Sequence, residues 1–157
     1  MRRAASGRRD RILAAIEIPA LGIWVGALVG FAFASAPLAF RFVAPTDLPH
    51  FAALIAATID RLTMWGYVLG SIAILASLAR SVTAGDRTWD AIRIALVVLA
   101  LGLATYERRV VVPEMEAITD FASPEYHALH SRSSSVYGGV VLLDVIALIL
   151  AASRREE

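Results

Sequence analysis

The residues best suited to chemistry lie in one stretch of the sequence, YHALHSRSSSVYGGVVLLDV. Six of them recur at alternating steps of three and four, which places them on one face of a helix. They are His127, His130, Ser134, Tyr137, Val141 and Asp144. Five of the six are polar, and a polar face on an otherwise apolar helix is costly to expose to lipid. This face is therefore predicted to meet other helices or a water-filled cavity.

The histidines are candidate metal ligands. His127 and His130 can point the same way on a helix, and His50 is predicted on the same side of the membrane. Imidazole with nearby carboxylates suits zinc, copper or iron, and helical bundles build such sites from facing helices. Two interpretations stay open: these histidines bind a metal or haem, or they only cap and hydrogen-bond the mouth of a bundle that holds no cofactor.

Nucleophilic catalysis is not favoured. The run SRSSS lacks the Gly-x-Ser-x-Gly turn of hydrolases, and no Gly-rich phosphate loop is present. Ser133 and Ser134 are instead predicted to bond backbone groups or Arg109 across helices. The absence of cysteine excludes disulfides, thiolate metal sites and cysteine nucleophiles. No catalytic residue is predicted.

Charged residues near the hydrocarbon predict two polar layers. Arg109 and Asp144 are both expected to point into the bundle, because exposure of either to lipid is costly. The deeper layer is Asp144, with Tyr137 between the layers. The outer layer comprises Arg41, Glu107, Arg109, His130 and Ser134. These residues, with Ser133, are the candidates for a ligand-binding cavity. A buried structural pair and a relay for a proton or substrate both remain open.

The elements that must position these residues are membrane helices. The sequence is 58% hydrophobic and 18% charged, whereas a soluble domain is about 45–50% apolar. The net charge of +1 gives no basic field for nucleic acid. We predict an all-α, integral membrane four-helix bundle in residues 18–157, after a basic cytoplasmic tail at 1–17. Its helices are expected at about 18–40, 51–79, 88–112 and 125–153, with no internal repeat.

Helix 1 carries a ridge of small residues. Gly22, Gly26 and Gly30 fall four residues apart, and such a ridge lets a neighbouring helix approach closely. The ridge is predicted to pack either inside one chain or against a second copy in a homo-oligomer.

The distribution of arginine predicts the topology. The N-terminal tail, the loop at 80–93 and the C-terminus hold ten arginines, and the two other loops hold five. Because the side richer in arginine is cytoplasmic, both termini are predicted inside. The tail is interpreted as a topology anchor rather than a cleaved signal peptide, and the chain as a multi-pass protein of a cell membrane, the bacterial inner membrane.

Three segments together resemble the transmembrane-protein-205-like family, a membrane family described as a domain of unknown function. They are FASAPLAFR on helix 1, LATYERRVVVP on helix 3 and HSRSS on helix 4. The resemblance implies a four-helix integral membrane protein and no particular activity. The family pattern favours Asn where this chain has Glu107, Tyr137 and Asp144.

Three functions stay open from the sequence. The first is a polar, outward-facing cavity that binds or moves a small ligand or ion within the lipid bilayer. The second is a metal- or haem-binding membrane protein that uses His127 and His130. The third is a structural oligomer packed through the glycine ridge.

Overall fold

The computed structural model describes residues 2–43, 47–82 and 87–153, with side chains from Gly7 onward. These residues are helical apart from short turns and contain no β-strand. Four helices are long and apolar enough to cross a membrane. The predicted all-α fold with four such helices is therefore confirmed. Arg154 and Arg155, which contribute to the predicted topology, lie outside the described residues.

The four spans extend further than the sequence predicts. In chain order they are span 1 (Arg2–Gly30, a π-helical segment Phe31–Ser35, and Ala36–Phe42), span 2 (Leu48–Ser81), span 3 (Arg87–Tyr106, a π-helical segment Glu107–Val111, and Val112–Glu116) and span 4 (Pro124–Ser153). Residues predicted as a basic tail are a helical extension of span 1. Since a helix rises about 1.5 Å per residue, the 30 residues of span 4 measure about 45 Å, against about 30 Å of hydrocarbon.

Both π-helical segments precede a proline by the same interval. The first ends at Ser35, two residues before Pro37, and the second ends at Val111, two residues before Pro113. A proline ring clashes with the carbonyl four residues earlier and brings no N–H donor. The N–H that follows each segment donates to the carbonyl five residues earlier, as Ala36 does to Phe31. The helix therefore widens locally and continues past the proline.

The spans form a ring in chain order. Span 1 packs against spans 2 and 4, and span 3 packs against the same two spans. Within the described ranges, the backbone of span 1 does not approach that of span 3, and span 2 does not approach span 4. The core is mostly alanine, leucine and valine, and Trp24 is its largest fully buried side chain. We call the end near the chain termini the terminal end, and the opposite end the loop end.

The glycines of spans 1 and 2 have different surroundings. A Cβ added to Gly66 would lie 2.8 Å from ring atoms of Trp24, so spans 1 and 2 approach closely there. A Cβ added to Gly22, Gly26 or Gly30 would meet no atom of the described structure within 4 Å. Packing of this ridge inside one chain is therefore not observed, and its packing against a second copy stays a prediction.

This contrast predicts opposite outcomes for two matched substitutions. Gly66→Ala should lower the free energy of unfolding by about 1–3 kcal/mol, because the rigid Trp24 ring must move. Gly26→Ala should cause no measurable loss in the free energy of unfolding of the monomer, because the added methyl group enters open space. Thermal unfolding in detergent measures both. Equal losses in the two variants would contradict this packing.

Candidate functional site

Glu107 enters the core because it occupies one position of a buried helical row. The row runs along span 3 at steps of three and four, and its members are Val97, Ala100, Ala104, Glu107 and Val111. Such spacing keeps one helix face towards the core. Glu107 begins the second π-helical segment and is only 2% exposed. The sequence thus places one carboxyl group among small apolar side chains.

One oxygen of Glu107 is bonded and the other is not. The hydroxyl of Ser133, on span 4, donates a hydrogen bond to Oε1. Oε2 has no hydrogen-bond partner among the described residues. An unpaired oxygen buried in this way is costly, so it marks a place where a proton, a water molecule or a cation would be stabilised.

Glu107 also lines a small cavity towards the loop end. The cavity volume is about 20 Å³, and a single water molecule needs about 10–15 Å³ on the same measure. All four spans contribute to its wall, and none of the lining side chains is basic. The lining residues are Trp24, Leu28, Ile59, Leu62, Thr63, Ala104, Glu107, Tyr137 and Val140.

Two hydroxyl groups accompany Glu107 in this wall. Thr63, on span 2, is buried. The hydroxyl of Tyr137, on span 4, donates to the carbonyl oxygen of Leu28 at 2.8 Å, and its ring lies 5.8 Å from that of Phe31. Tyr137 therefore ties span 4 to span 1 beside the first π-helical segment.

Asp144 forms a second buried acidic position, deeper in span 4. It is fully buried, and neither carboxyl oxygen has a hydrogen-bond partner among the described residues. It follows Ser133 by 11 residues along the helix, which places it roughly 16 Å further towards the terminal end. The prediction that Asp144 points into the bundle is confirmed. A buried carboxyl group without a hydrogen-bond partner is costly.

A third polar group, at the terminal end, was missed by the sequence analysis. Glu17 of span 1 accepts hydrogen bonds from Ser77 Oγ at 2.7 Å and from Arg80, both on span 2. The Nε atom of Arg93, on span 3, lies 3.3 Å from Glu17 Oε1. Arg93 is also paired with Asp90. We call Glu17, Ser77, Arg80, Asp90 and Arg93 the terminal-end cluster.

This cluster joins all four spans. Its two acids face two arginines, and Arg93 Nη1 reaches the carbonyl of Leu150 on span 4 at 3.4 Å. Each of its members is at most 5% exposed. The sequence does contain a signal for it, because Asp90 and Arg93 continue the helical spacing of the buried row at Val97 and Ala100. In the sequence, the charges of Glu17, Arg80 and Arg93 only mark the ends of the predicted tail at 1–17 and of the arginine-bearing loop at 80–93.

Most of the predicted outer layer does not meet Glu107. Arg41, Arg109, His130 and Ser134 are all exposed, so the prediction that Arg109 points into the bundle is wrong. Ser134 donates to the carbonyl oxygen of His130, 2.9 Å away in its own helix.

The buried face of span 4 differs from the predicted one by a small rotation. It runs through Ser133, Tyr137, Val140, Asp144 and Ala147. Both rows have helical spacing and both contain Tyr137 and Asp144. The observed row is the one that buries Val140 and Ala147. Burying these apolar side chains stabilises the fold more than burying the polar side chains that define the predicted face.

The three candidate metal ligands are not brought together. His50 lies at the start of span 2, where its ring Nδ1 is 2.7 Å from Asp47 Oδ2. The backbone N–H of His50 also donates to Asp47 and lowers the pKa of that carboxyl group. His127 and His130 are exposed on span 4. Among the described residues, no three His, Cys, Asp or Glu side chains are grouped to hold a metal ion. Metal or haem binding stays a prediction of the sequence.

The bond from Ser133 to Glu107 predicts a selective effect on stability. Ser133→Ala should lower the free energy of unfolding by about 1–3 kcal/mol, because it leaves a second buried carboxyl oxygen unpaired. Ser135→Ala is the matched control, since Ser135 is exposed and bonds only Ser131 of its own helix. Thermal unfolding of the two variants should separate them. If Ser135→Ala lowers the free energy of unfolding as much as Ser133→Ala does, the hydrogen bond between Ser133 and Glu107 contributes no more stability than a bond within one helix.

Comparison with known proteins identifies a family whose model matches most of the chain. A family model described as a domain of unknown function, DUF4149, matches residues 20–122. No curated protein and no solved structure matches the chain. The matched range includes the segments FASAPLAFR and LATYERRVVVP, and ends before HSRSS. The likeness to the transmembrane-protein-205-like family therefore stays a prediction.

Proposed function

Because the chain belongs to the DUF4149 family, whose activity is unknown, we propose a function from the site itself: the protein binds a proton or a small monovalent cation within the membrane, at Glu107. One observation carries the proposal. A buried carboxyl group, with one oxygen unpaired among the described residues, lines a cavity of about the size of a water molecule.

Charge and size both favour a small cation as the ligand. A carboxylate in low-dielectric surroundings attracts a positive charge more strongly than it does in water. The two arginines that follow Glu107 do not line the cavity: Arg108 pairs with Asp60, and Arg109 is exposed. At about 20 Å³, the cavity suits hydronium, sodium or ammonium rather than an organic molecule. Thr63 and Tyr137, which carry hydroxyl groups, are among the residues that line the same cavity.

Ligand-dependent stability tests this proposal directly. We expect the unfolding midpoint of the purified protein to rise with sodium or ammonium concentration, or to depend on pH if the ligand is a proton. A ligand at 100 times its dissociation constant adds about 2.7 kcal/mol to the free energy of unfolding. Glu107→Gln keeps the size of the side chain and removes its negative charge, so the dependence should shrink to the part that Asp144, the other unpaired buried acid, contributes.

Glu116→Gln is the matched control. Glu116 is an exposed carboxylate near the loop end of the same span, and its variant should respond to ions and pH as the wild type does. An unchanged response in Glu107→Gln would overturn the proposal. A loss of response in both variants would show that the effect comes from surface charge and would overturn it equally.

A further inference from the structure

The two halves of the chain repeat the same helical hairpin. The π-helical segments begin at Phe31 and Glu107, which are 76 residues apart, and the same interval separates Pro37 from Pro113. Spans 2 and 4 begin at Leu48 and Pro124, again 76 residues apart. The structure thus reveals a repeat that the sequence analysis did not predict. We call spans 1 and 2 the first hairpin, and spans 3 and 4 the second hairpin.

The buried faces of spans 1 and 3 follow the same interval. The paired positions are Glu17 and Arg93, Leu21 and Val97, Trp24 and Ala100, Leu28 and Ala104, and Phe31 and Glu107, and every one of them is buried. Spans 1 and 3 lie on opposite corners of the ring. The hairpins are therefore related by an approximate twofold axis along the bundle, which is the parallel form of internal repeat known in membrane carriers.

The cavity and the terminal-end cluster both lie between the hairpins. The first hairpin supplies Trp24, Leu28 and Thr63 to the cavity wall, and the second supplies Glu107 and Tyr137. At the terminal end, Glu17 and Arg93 occupy equivalent positions, yet they carry opposite charges and approach within 3.3 Å. Two equivalent residues that meet must do so close to the axis. The hairpins are thus held together by charge at the terminal end and enclose the cavity towards the loop end.

We infer that the protein is a carrier in which the two hairpins rock against each other and move the cation bound at Glu107 across the membrane. The contact between Glu17 and Arg93 closes the terminal end in the observed conformation. Its separation opens a path from the cavity to that end. The inference rests on the proposed function, because it needs a cation bound at Glu107.

A single introduced cysteine tests the opening, because the chain has no cysteine of its own. Ala147 is fully buried between the cavity and the terminal-end cluster, so Ala147→Cys reports access from the terminal end. The probe is a membrane-impermeant maleimide, applied at that end to vesicles of known orientation. Adding Glu17→Gln should raise the labelling rate roughly tenfold or more, the population change produced by about 1.4 kcal/mol. Adding Glu116→Gln instead should leave the rate unchanged.

Flux through the unmodified protein gives a second test that needs no variant of the cluster. Liposomes that contain the protein and a trapped pH or sodium indicator should take up protons or sodium, and Glu107→Gln should abolish this uptake. If the stability depends on ions through Glu107 but the liposomes take up neither protons nor sodium, the carrier inference is wrong. The proposed function is then still supported. Loss of the ion-dependent stability itself overturns both. A folded Ala147→Cys protein whose labelling does not change with Glu17→Gln overturns the role of the ion pair as the closure.

Discussion

Replacing Arg93 by Gln will lower the free energy of unfolding by about 3–5 kcal/mol, the usual cost of removing one partner from a buried ion pair. Arg93 is 1% exposed and lies against Glu17 and Asp90, which are also buried. The substitution leaves these acids in apolar surroundings with one fewer counter-charge. The loss should be measured by thermal or denaturant unfolding in detergent.

Arg108→Gln is the matched control, because its pair with Asp60 is partly exposed. An exposed pair contributes only about 0–1 kcal/mol. A double-mutant cycle of Arg93→Gln with Glu17→Gln should show a clear coupling energy, since the two side chains touch. Similar losses in Arg93→Gln and Arg108→Gln, or a cycle without coupling, would show that the terminal-end cluster does not hold the hairpins together.

Trp24→Ala should destabilise the protein by a similar amount, about 3–5 kcal/mol, because it removes the largest buried side chain and leaves a void. The Trp24 ring fills the space beside Gly66 and forms part of the cavity wall. The substitution should therefore weaken the contact between spans 1 and 2 and enlarge the cavity beside Glu107.

Trp65→Ala separates this effect from the general loss of an aromatic side chain. Trp65 lies on the adjacent span but is 61% exposed, so its removal should change the stability by about 0.5 kcal/mol or less. Unfolding midpoints compare the two variants. A loss for Trp65→Ala that equals the loss for Trp24→Ala would contradict the assignment of Trp24 to the core.

Apolar length and composition were enough to predict the fold. Uncharged runs of about 20 residues match the length of a helix that crosses a membrane, and a helix bonds its backbone polar groups within its own segment. The π-helical segments could not be predicted, since Pro37 and Pro113 indicate only a disturbance and not its form. The sequence does not reveal the repeat, because the repeat consists of equal intervals between structural elements. The paired residues, such as Phe31 and Glu107, differ in chemistry.

The sequence predicts some of the buried polar side chains. Glu107, Ser133, Tyr137 and Asp144 are buried or half-buried, as a polar interior requires. Arg109 is exposed because it lies two residues after Glu107, on the side of the helix opposite the buried row. The terminal-end cluster was missed because charge at the end of an apolar run usually signals a boundary. Arg93 continues the helical spacing of the buried row on span 3, but only the facing helices reveal that Glu17 meets it.

The protonation of the Glu107 carboxyl group is the most direct test of the central claim that this residue binds a proton or a small cation. Infrared difference spectroscopy of protein with isotope-labelled glutamate, in lipid, separates the protonated acid from the carboxylate. We predict a protonated-acid signal that is absent from Glu107→Gln and that declines as pH or sodium concentration rises. A Glu107 carboxylate that stays ionised and responds to neither pH nor sodium would contradict the claim.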